Sequence, residues 1–528
     1  MCGIFVYSGR KKALPDLETH IEKLRHRGPD KLQVDEHEGG LMAFHRLRIM
    51  DLGPAGDQPF VDEQTGNKVV CNGEIYNQTE LRRLTNYPYI SDSDCEVLLP
   101  LYAKYGLKKT AQMLDAEFAM VLWDARRQKH VAARDPIGIR PLFYGYSRSE
   151  GEIIFASEAK AVSPFCDHVE PFPPGHVYDG EEFVRYLDIS RVCQYHTHTK
   201  EEVLSNIHDK LVAATRKRLC ADAPVGLLLS GGLDSSLVCA IAQRYSSRPI
   251  KTFAVGMHTD GIDLKYARDV ARFIGSDHTE VLITEEDVLS SLREVIWSLE
   301  SYDITTIRAS IGMYLVCKHI SENSDVRVLL TGEVSDELFG YKYTDFAPNP
   351  VEFQRECRKR IRELYMYDVL RADRCISAHA LEARVPFSDS DFVQYVMGIH
   401  PRHKMNNNGV GKYLLRAAFE GGGYLPEHIL WREKAAFSDA VGHSLADTLQ
   451  AVAEESYSEQ DPETIAEQYP YATPISKESL MYRDLFEQMY PRMAHLIASL
   501  WMPNPRWENC QVADPSARAL PNYGASGV

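Results

Sequence analysis

Three things are missing from this chain of 528 residues: long apolar runs, paired cysteines and an excess of positive charge. No stretch approaches the roughly 18 consecutive apolar residues of a membrane helix, so no membrane partner is expected. The 11 cysteines are odd in number and scattered, with no C-x-x-C pair. That excludes a zinc framework and fits free thiols in a reducing, cytoplasmic setting. Lys and Arg total 59 against 75 Asp and Glu, a net charge of −16, so no nucleic-acid partner is expected. Any anionic substrate must then be met by local cations and backbone N–H groups. Arg10, Lys11 and Lys12 interrupt the short apolar start, so no leader peptide is expected. Repeats and low-complexity tracts are absent as well.

What remains is ordinary globular composition, 44% hydrophobic and 25% charged, at a length that implies more than one domain. To about residue 185 the chain is rich in short strand-like runs broken by Gly, Pro and Asp. Examples are residues 41–44, 68–71, 118–123, 130–133 and 153–156. Two helical stretches, 14–26 and 94–105, interrupt them, which fits a layered α/β sandwich. Thr199-Lys200-Glu201-Glu202 is a capping-box pattern that predicts a helix to about Leu219. The texture then changes. Residues 225–229, 252–255 and 326–330 are continuous apolar runs, as strands buried on both faces require. Helical patterns at 235–244, 263–275 and 286–298 alternate with them, so a doubly wound parallel sheet is expected. Beyond about 350 the pattern is mainly helical. From Asn504 the chain is polar and irregular, and 504–528 is expected to be a loose tail. The expected domains are therefore 2–185 and 200–503.

Two strings carry chemistry. Met1-Cys2-Gly3 places a thiol beside the chain start, and removal of Met1 gives Cys2 an α-amine of its own. Such an amine has an unperturbed pKa of roughly 7.7–8.0 and can take the thiol proton for attack on an amide carbonyl. Alone, a cysteine near a terminus is usually incidental. Asn72 and Gly73 offer a side-chain amide and a backbone N–H for the resulting oxyanion; the same pair also reads as a hairpin turn. The second string, Ser230-Gly231-Gly232-Leu233-Asp234-Ser235-Ser236, follows an apolar strand and opens a helix. Backbone N–H groups and hydroxyls there suit phosphates, and Asp234 suits Mg²⁺. A plain glycine-rich turn is the alternative. Thr331-Gly332-Glu333-Val334-Ser335-Asp336-Glu337 follows another strand. It reads either as a solvated turn or as a second half of the site. In the latter case Asp336 shares the metal and Glu333 serves as base for attacking ammonia.

Met1-Cys2-Gly3-Ile4, Arg25-His26-Arg27-Gly28-Pro29-Asp30, Asn72-Gly73-Glu74-Ile75-Tyr76-Asn77 and Ser93-Asp94-Cys95-Glu96 resemble the class II glutamine amidotransferases. The resemblance implies an N-terminal-nucleophile αββα sandwich and a glutaminase. In it Arg46, with backbone from Leu47, Arg48, Ile49 and Met50, meets the glutamine carboxylate, and Glu74 and Asp94 meet its amine. Residues 134–142 match the same family and are expected to be scaffold. The Ser230 string lacks a Walker lysine and resembles the loop of the ATP pyrophosphatases. Thr305-Thr306-Ile307-Arg308-Ala309-Ser310, Glu382-Ala383-Arg384-Val385-Pro386-Phe387 and Trp431-Arg432-Glu433-Lys434 extend the likeness to about residue 500. The chain as a whole resembles the glutamine-hydrolysing asparagine synthetases. That implies ATP and Mg²⁺ as cofactors, glutamine and aspartate as substrates, a β-aspartyl-AMP intermediate, and a homodimer. By the same resemblance Leu228 and Val255 line the adenine pocket, Thr331 and Gly332 touch the nucleotide, Lys434 lies by the α-phosphate, and Arg308 holds an aspartate carboxylate. Arg48, Thr331, Val334 and Ala435-Ala436 depart from the family pattern, and a β-branched Val334 disfavours positive φ. The rival readings are a related synthetase that amidates or cyclises a different carboxylic acid, and an idle homologue.

Overall fold

The computed structural model describes residues 1–9, 14–148, 151–258, 262–433, 443–458 and 461–523. The chain divides into two compact units. The first comprises Met1–Ile189 with two short returns, Cys220–Pro224 and Ile376–Ala383; the second holds the remainder. The continuous boundary expected near 185–200 therefore omits two segments that belong to the first unit. Both are too short to carry a periodic signal of their own.

The first unit is built on two six-stranded antiparallel sheets. One runs in the order Cys166–Pro171, Phe143–Ser147, Ile153–Ala156, Gly3–Tyr7, Gly40–Arg46, Lys31–His37. The other runs Phe183–Arg185, His176–Tyr178, Lys129–Arg134, Ala116–Asp124, Lys68–Ile75, Phe60–Val61. Two-residue periodicity decides which side chain goes where. Val70, Ala119 and Val121 join Ile4, Val6 and Phe44 in one core between the sheets. Their neighbours Val69, Cys71, Phe118 and Met120 point the other way, onto Leu98 and Leu101 of the helix Leu98–Tyr105. Sheets that face each other, with helices outside, form the expected sandwich. Asn72 and Gly73 lie inside the strand Lys68–Ile75, paired with Ala119 and Phe118, so the hairpin-turn alternative is excluded. The 134–142 segment is scaffold: Asp135 accepts N–H bonds from Ile137, Gly138, Ile139 and Arg140, and the buried Arg134 donates to three carbonyls.

In the second unit the Thr199–Glu202 capping box is present and starts the helix Lys200–Arg218. Four parallel strands run in the order Asp277–Ile283, Lys251–Met257, Val225–Leu228, Val328–Leu330, with the short strand Glu382–Arg384 at the edge. The first strand in the chain, Val225–Leu228, has the second on one side and the fourth on the other. That is a topological switch point, where ligands bind beyond the carboxyl ends of open parallel sheets. The strand Asp277–Ile283 carries Asp277, His278 and Glu280 at a sheet edge, which is why no apolar run announces it.

The expected loose tail is corrected by the structure. Trp507, Cys510, Ala517 and Leu520 are buried, Asn504 donates to Glu356, and Asn522 donates to the Lys342 carbonyl. The anchors are single residues spaced along irregular backbone, so no periodicity reveals them. Removal of 504–528 is accordingly expected to lower the thermal stability of the second unit sharply. Trp507→Ala alone should cost about 3–5 kcal/mol, read by calorimetry, whereas a loose tail would give no change.

Candidate functional sites

In the first unit Cys2 precedes the central strand Gly3–Tyr7 and its side chain is part-buried. Leu47 N–H donates to Sγ at 3.4 Å, and the thiol faces the Leu47 carbonyl at 3.7 Å. Burial pushes the Cys2 thiol above its ordinary pKa, so it needs a base to become a nucleophile. The Cys2 nitrogen, which becomes an α-amine when Met1 is removed, donates to Asn72 Oδ1 at 3.0 Å. Asn72 Nδ2 is buried and has no acceptor among the described residues. One side chain therefore steadies the amine at one end and presents an unused donor at the other. Gly73 is required by close approach, since a Cβ there would lie 2.5 Å from the Glu117 carbonyl.

Glu74 and Asp94 are both buried in this unit, and Asp94 accepts from Ile75 N–H at 2.7 Å. The two terminal nitrogens of Arg46 donate to the carbonyls of Gly53, Met50 and Asp51 and to Asp57. These bonds tie the guanidinium to the loop after Leu47. Arg48 keeps a third of its side chain exposed and is the more open cation of that loop.

Arg27 was quoted only as part of a motif, yet it fastens the nucleophile. It donates from Nε to the Cys2 carbonyl at 3.0 Å, and from Nη1 to Glu158 at 2.7 Å and Ser377 at 2.9 Å. Arg27 and Glu158 are fully buried, and Lys160 Nζ lies 2.7 Å from the other Glu158 oxygen, so Arg27→Met removes one of two buried cations on that carboxylate and the donor to the Cys2 carbonyl. The expected effect is a loss of stability, with a loss of glutaminase turnover larger than that of ammonia-dependent synthesis. Calorimetry and the two activity assays check it.

In the second unit the Ser230 string is a loop between the strand Val225–Leu228 and the helix Leu233–Arg244. Ser235 Oγ bonds Ser230 Oγ at 2.9 Å and accepts from Ser230 N–H at 3.2 Å. Gly231 has φ +74°, and a Cβ there would meet Ala267 N at 2.5 Å, so glycine is needed twice over. A Cβ on Gly332 would meet Ser235 N at 2.7 Å, which shows how closely the second loop presses on the first. The solvated-turn alternative for 331–337 is thereby excluded. Both loops line one cavity with Leu228 and Val255. Thr331 Oγ1 is buried there without a partner among the described residues.

The carboxylates of this cavity are already organised. Lys412 Nζ lies 2.7 Å from Asp234 Oδ2 and 2.7 Å from Asp336 Oδ1, and Ser335 Oγ donates to Asp234 Oδ1 at 2.7 Å. Among the described residues, Lys412 stands between carboxylates from the two loops and marks a position that a hard divalent ion also suits, so the donor set fits Mg²⁺. Glu333 accepts from Arg371 at 2.7 Å, and burial together with Asp368 and Asp336 holds the Glu337 carboxyl well above its ordinary range. The buried guanidinium of Arg308 is engaged by Glu478 at 2.8 and 2.5 Å and by Asp514 at 3.0 and 2.8 Å, so it fastens the C-terminal segment. Lys434, Ala435 and Ala436 lie outside the described residues. Lys412 and Arg371 are the residues that sequence reasoning missed; nothing local marks either.

Val334 occupies the left-handed region, with φ +79° and ψ −18°, while 2% exposed. A β-branched residue there stores about 1–2 kcal/mol of strain. Val334→Gly should therefore cost only about 1–2 kcal/mol, roughly half of the usual loss for a buried valine. Val385→Gly is the control, because Val385 is equally buried at an ordinary φ of −120°. Equal losses in the two variants would remove the strain.

With both geometries in place, comparison with known proteins adds the following. A family model described as asparagine synthase matches residues 206–352 and 345–514, and one described as a glutamine amidotransferase domain matches residues 1–215. The chain is 40% identical over 564 aligned positions to an asparagine synthetase (glutamine-hydrolysing) of Cricetulus griseus, covering 99% of each chain. The Bos taurus protein of that name is 40% identical over 566 positions, covering 100% of each. That of Homo sapiens is 40% identical over 564 positions, covering 99% of each.

Proposed function

The chain belongs to the glutamine-hydrolysing asparagine synthetase family, and from that premise we propose how its residues divide the reaction. The protein is a carbon–nitrogen ligase that consumes ATP and takes its amide nitrogen from glutamine. In the glutaminase, 2–185, Cys2 attacks the glutamine amide after its own α-amine has taken the thiol proton. Asn72 Nδ2 and Gly73 N–H stabilise the oxyanion; one such donor is worth about 3 kcal/mol of barrier. Ammonia leaves and water hydrolyses the thioester. Glu74 and Asp94 attract the glutamine amine. Arg48 and the backbone of Leu47, Ile49 and Met50 meet its carboxylate, and Arg46 holds their loop in shape.

In the synthetase, 200–503, the Ser230, Gly231, Gly232 and Ser235 groups cradle the phosphates, and Leu228 and Val255 flank the adenine. Thr331 and Gly332 line the nucleotide's other side, and the family resemblance assigns Lys434 to the α-phosphate. Asp234 and Asp336 would hold Mg²⁺, which supplies charge neutralisation for departing pyrophosphate. The aspartate β-carboxylate displaces pyrophosphate to give β-aspartyl-AMP. Glu333 takes a proton as ammonia displaces AMP, and asparagine forms. The observation that carries the reading is the meeting of Asp234 and Asp336 across one cation at the sheet's switch point. All eleven cysteines are free, which supports a reducing, cytoplasmic compartment; a homodimer rests on family resemblance.

The test is to incubate the processed protein with aspartate and Mg-ATP, with glutamine in one sample and ammonium in another. Asparagine from both, with AMP and pyrophosphate in step, is the expected result. Pyrophosphate and glutamate without asparagine would move the acceptor to a different carboxylic acid, with Val334 and Ala435-Ala436 as the place to look. Absence of pyrophosphate in both samples would overturn the synthetase reading.

A further inference from the structure

Lys412 is a buried lysine delivered by an irregular loop. Its side chain is 4% exposed, and it stands at φ +58° and ψ +34° immediately before the helix Tyr413–Phe419. The preceding Asn406-Asn407-Asn408-Gly409-Val410-Gly411 includes Gly409 at φ +74°. A left-handed lysine at a helix start is a conformation held by tertiary contacts. Those contacts are Asp234, Asp336 and Ser335, the last at 3.1 Å.

We propose that Lys412 is an internal stand-in for the divalent cation: its ammonium closes the Asp234–Asp336 pair until a nucleotide polyphosphate arrives with the metal and draws the ammonium away. The inference rests on assigning those two carboxylates to the metal, and goes beyond that assignment to the order of binding. The charges decide the order. Two carboxylates and one ammonium sum to −1. A bare divalent ion entering the same space would face a buried ammonium at close range, raising the sum of these three groups and the ion to +1, while Glu333, another carboxylate of the cavity, is engaged by Arg371 at 2.7 Å. Arg416, itself 2% exposed and donating to the Gly411 carbonyl at 2.8 Å, adds a further cation behind the loop. An incoming triphosphate supplies the missing negative charge and gives Lys412 new oxygen partners while the carboxylates turn to the metal. Metal alone is thus held off, and metal with nucleotide is admitted.

The test is binding of Mn²⁺, followed by electron paramagnetic resonance, to the full chain with and without ATP and without aspartate. The parent protein is expected to take up Mn²⁺ at least about tenfold more tightly with ATP present. Lys412→Met should bind Mn²⁺ without ATP, at least about tenfold more tightly than the parent, and adding Asp234→Asn to it should abolish that gain. Lys412→Arg keeps the cation and should exclude free Mn²⁺ as the parent does, which preserves the test if Lys412→Met does not fold. Tight Mn²⁺ binding to the parent without nucleotide, equal to that with ATP, overturns the inference and leaves the metal assignment standing. Mn²⁺ binding that survives Asp234→Asn with ATP overturns the assignment itself.

Discussion

Replacing Cys2 with alanine is expected to abolish glutamine-driven asparagine formation, by about three orders of magnitude or more, while ammonia-driven synthesis stays within about twofold. The structural reason is that, among the described residues, Cys2 Sγ hydrogen-bonds with the Leu47 backbone alone, so its loss leaves the strand Gly3–Tyr7 paired on both sides. Asparagine quantified from each nitrogen donor settles the matter. If ammonia-driven synthesis disappears together with glutamine use, the two-site reading is wrong.

The second large effect concerns Asp234. Asp234→Asn keeps the shape and leaves Ser335 an acceptor, but it removes one of the two carboxylates that Lys412 joins. Pyrophosphate release should fall by about 10²–10³-fold with glutamine and with ammonium alike, since neutralisation of the departing phosphates is lost for both. Glutamate formation from glutamine serves as the control for folding and should persist. An unchanged pyrophosphate rate would take Asp234 out of the metal's coordination.

Much of this was legible before any coordinates. Alternating and continuous apolar runs mark the strands 68–71, 118–123 and 225–229 because burial on one face or two dictates those patterns. The Ser230 loop was visible because its chemistry is local, set by neighbours in sequence, whereas Cys2 and Asn72 meet across 70 positions. What sequence did not show is non-local. Lys412 meets Asp234 across 178 positions, and Arg27 meets Ser377 across 350; no window of residues contains either encounter. Arg46 and Arg308 show the same limit: an arginine's type is visible, but its partners Asp57 and Asp514 are a tertiary fact. The tail misled because isolated anchors such as Trp507 and Leu520 leave no period.

The first unit closes on a segment from far downstream. Arg27 donates to Ser377 at 2.9 Å, and Arg140 to the Ala383 carbonyl at 2.7 Å. Ile376–Ala383 groups with that unit. A nascent chain leaving the ribosome cannot complete its nucleophile-bearing unit when residue 189 emerges, because the last segment has not yet been translated. The usual order, in which an N-terminal domain folds first and waits, does not apply here. Glutamine hydrolysis should thus mature only after most of the synthetase has been made, which keeps a half-built chain from releasing ammonia that nothing can use.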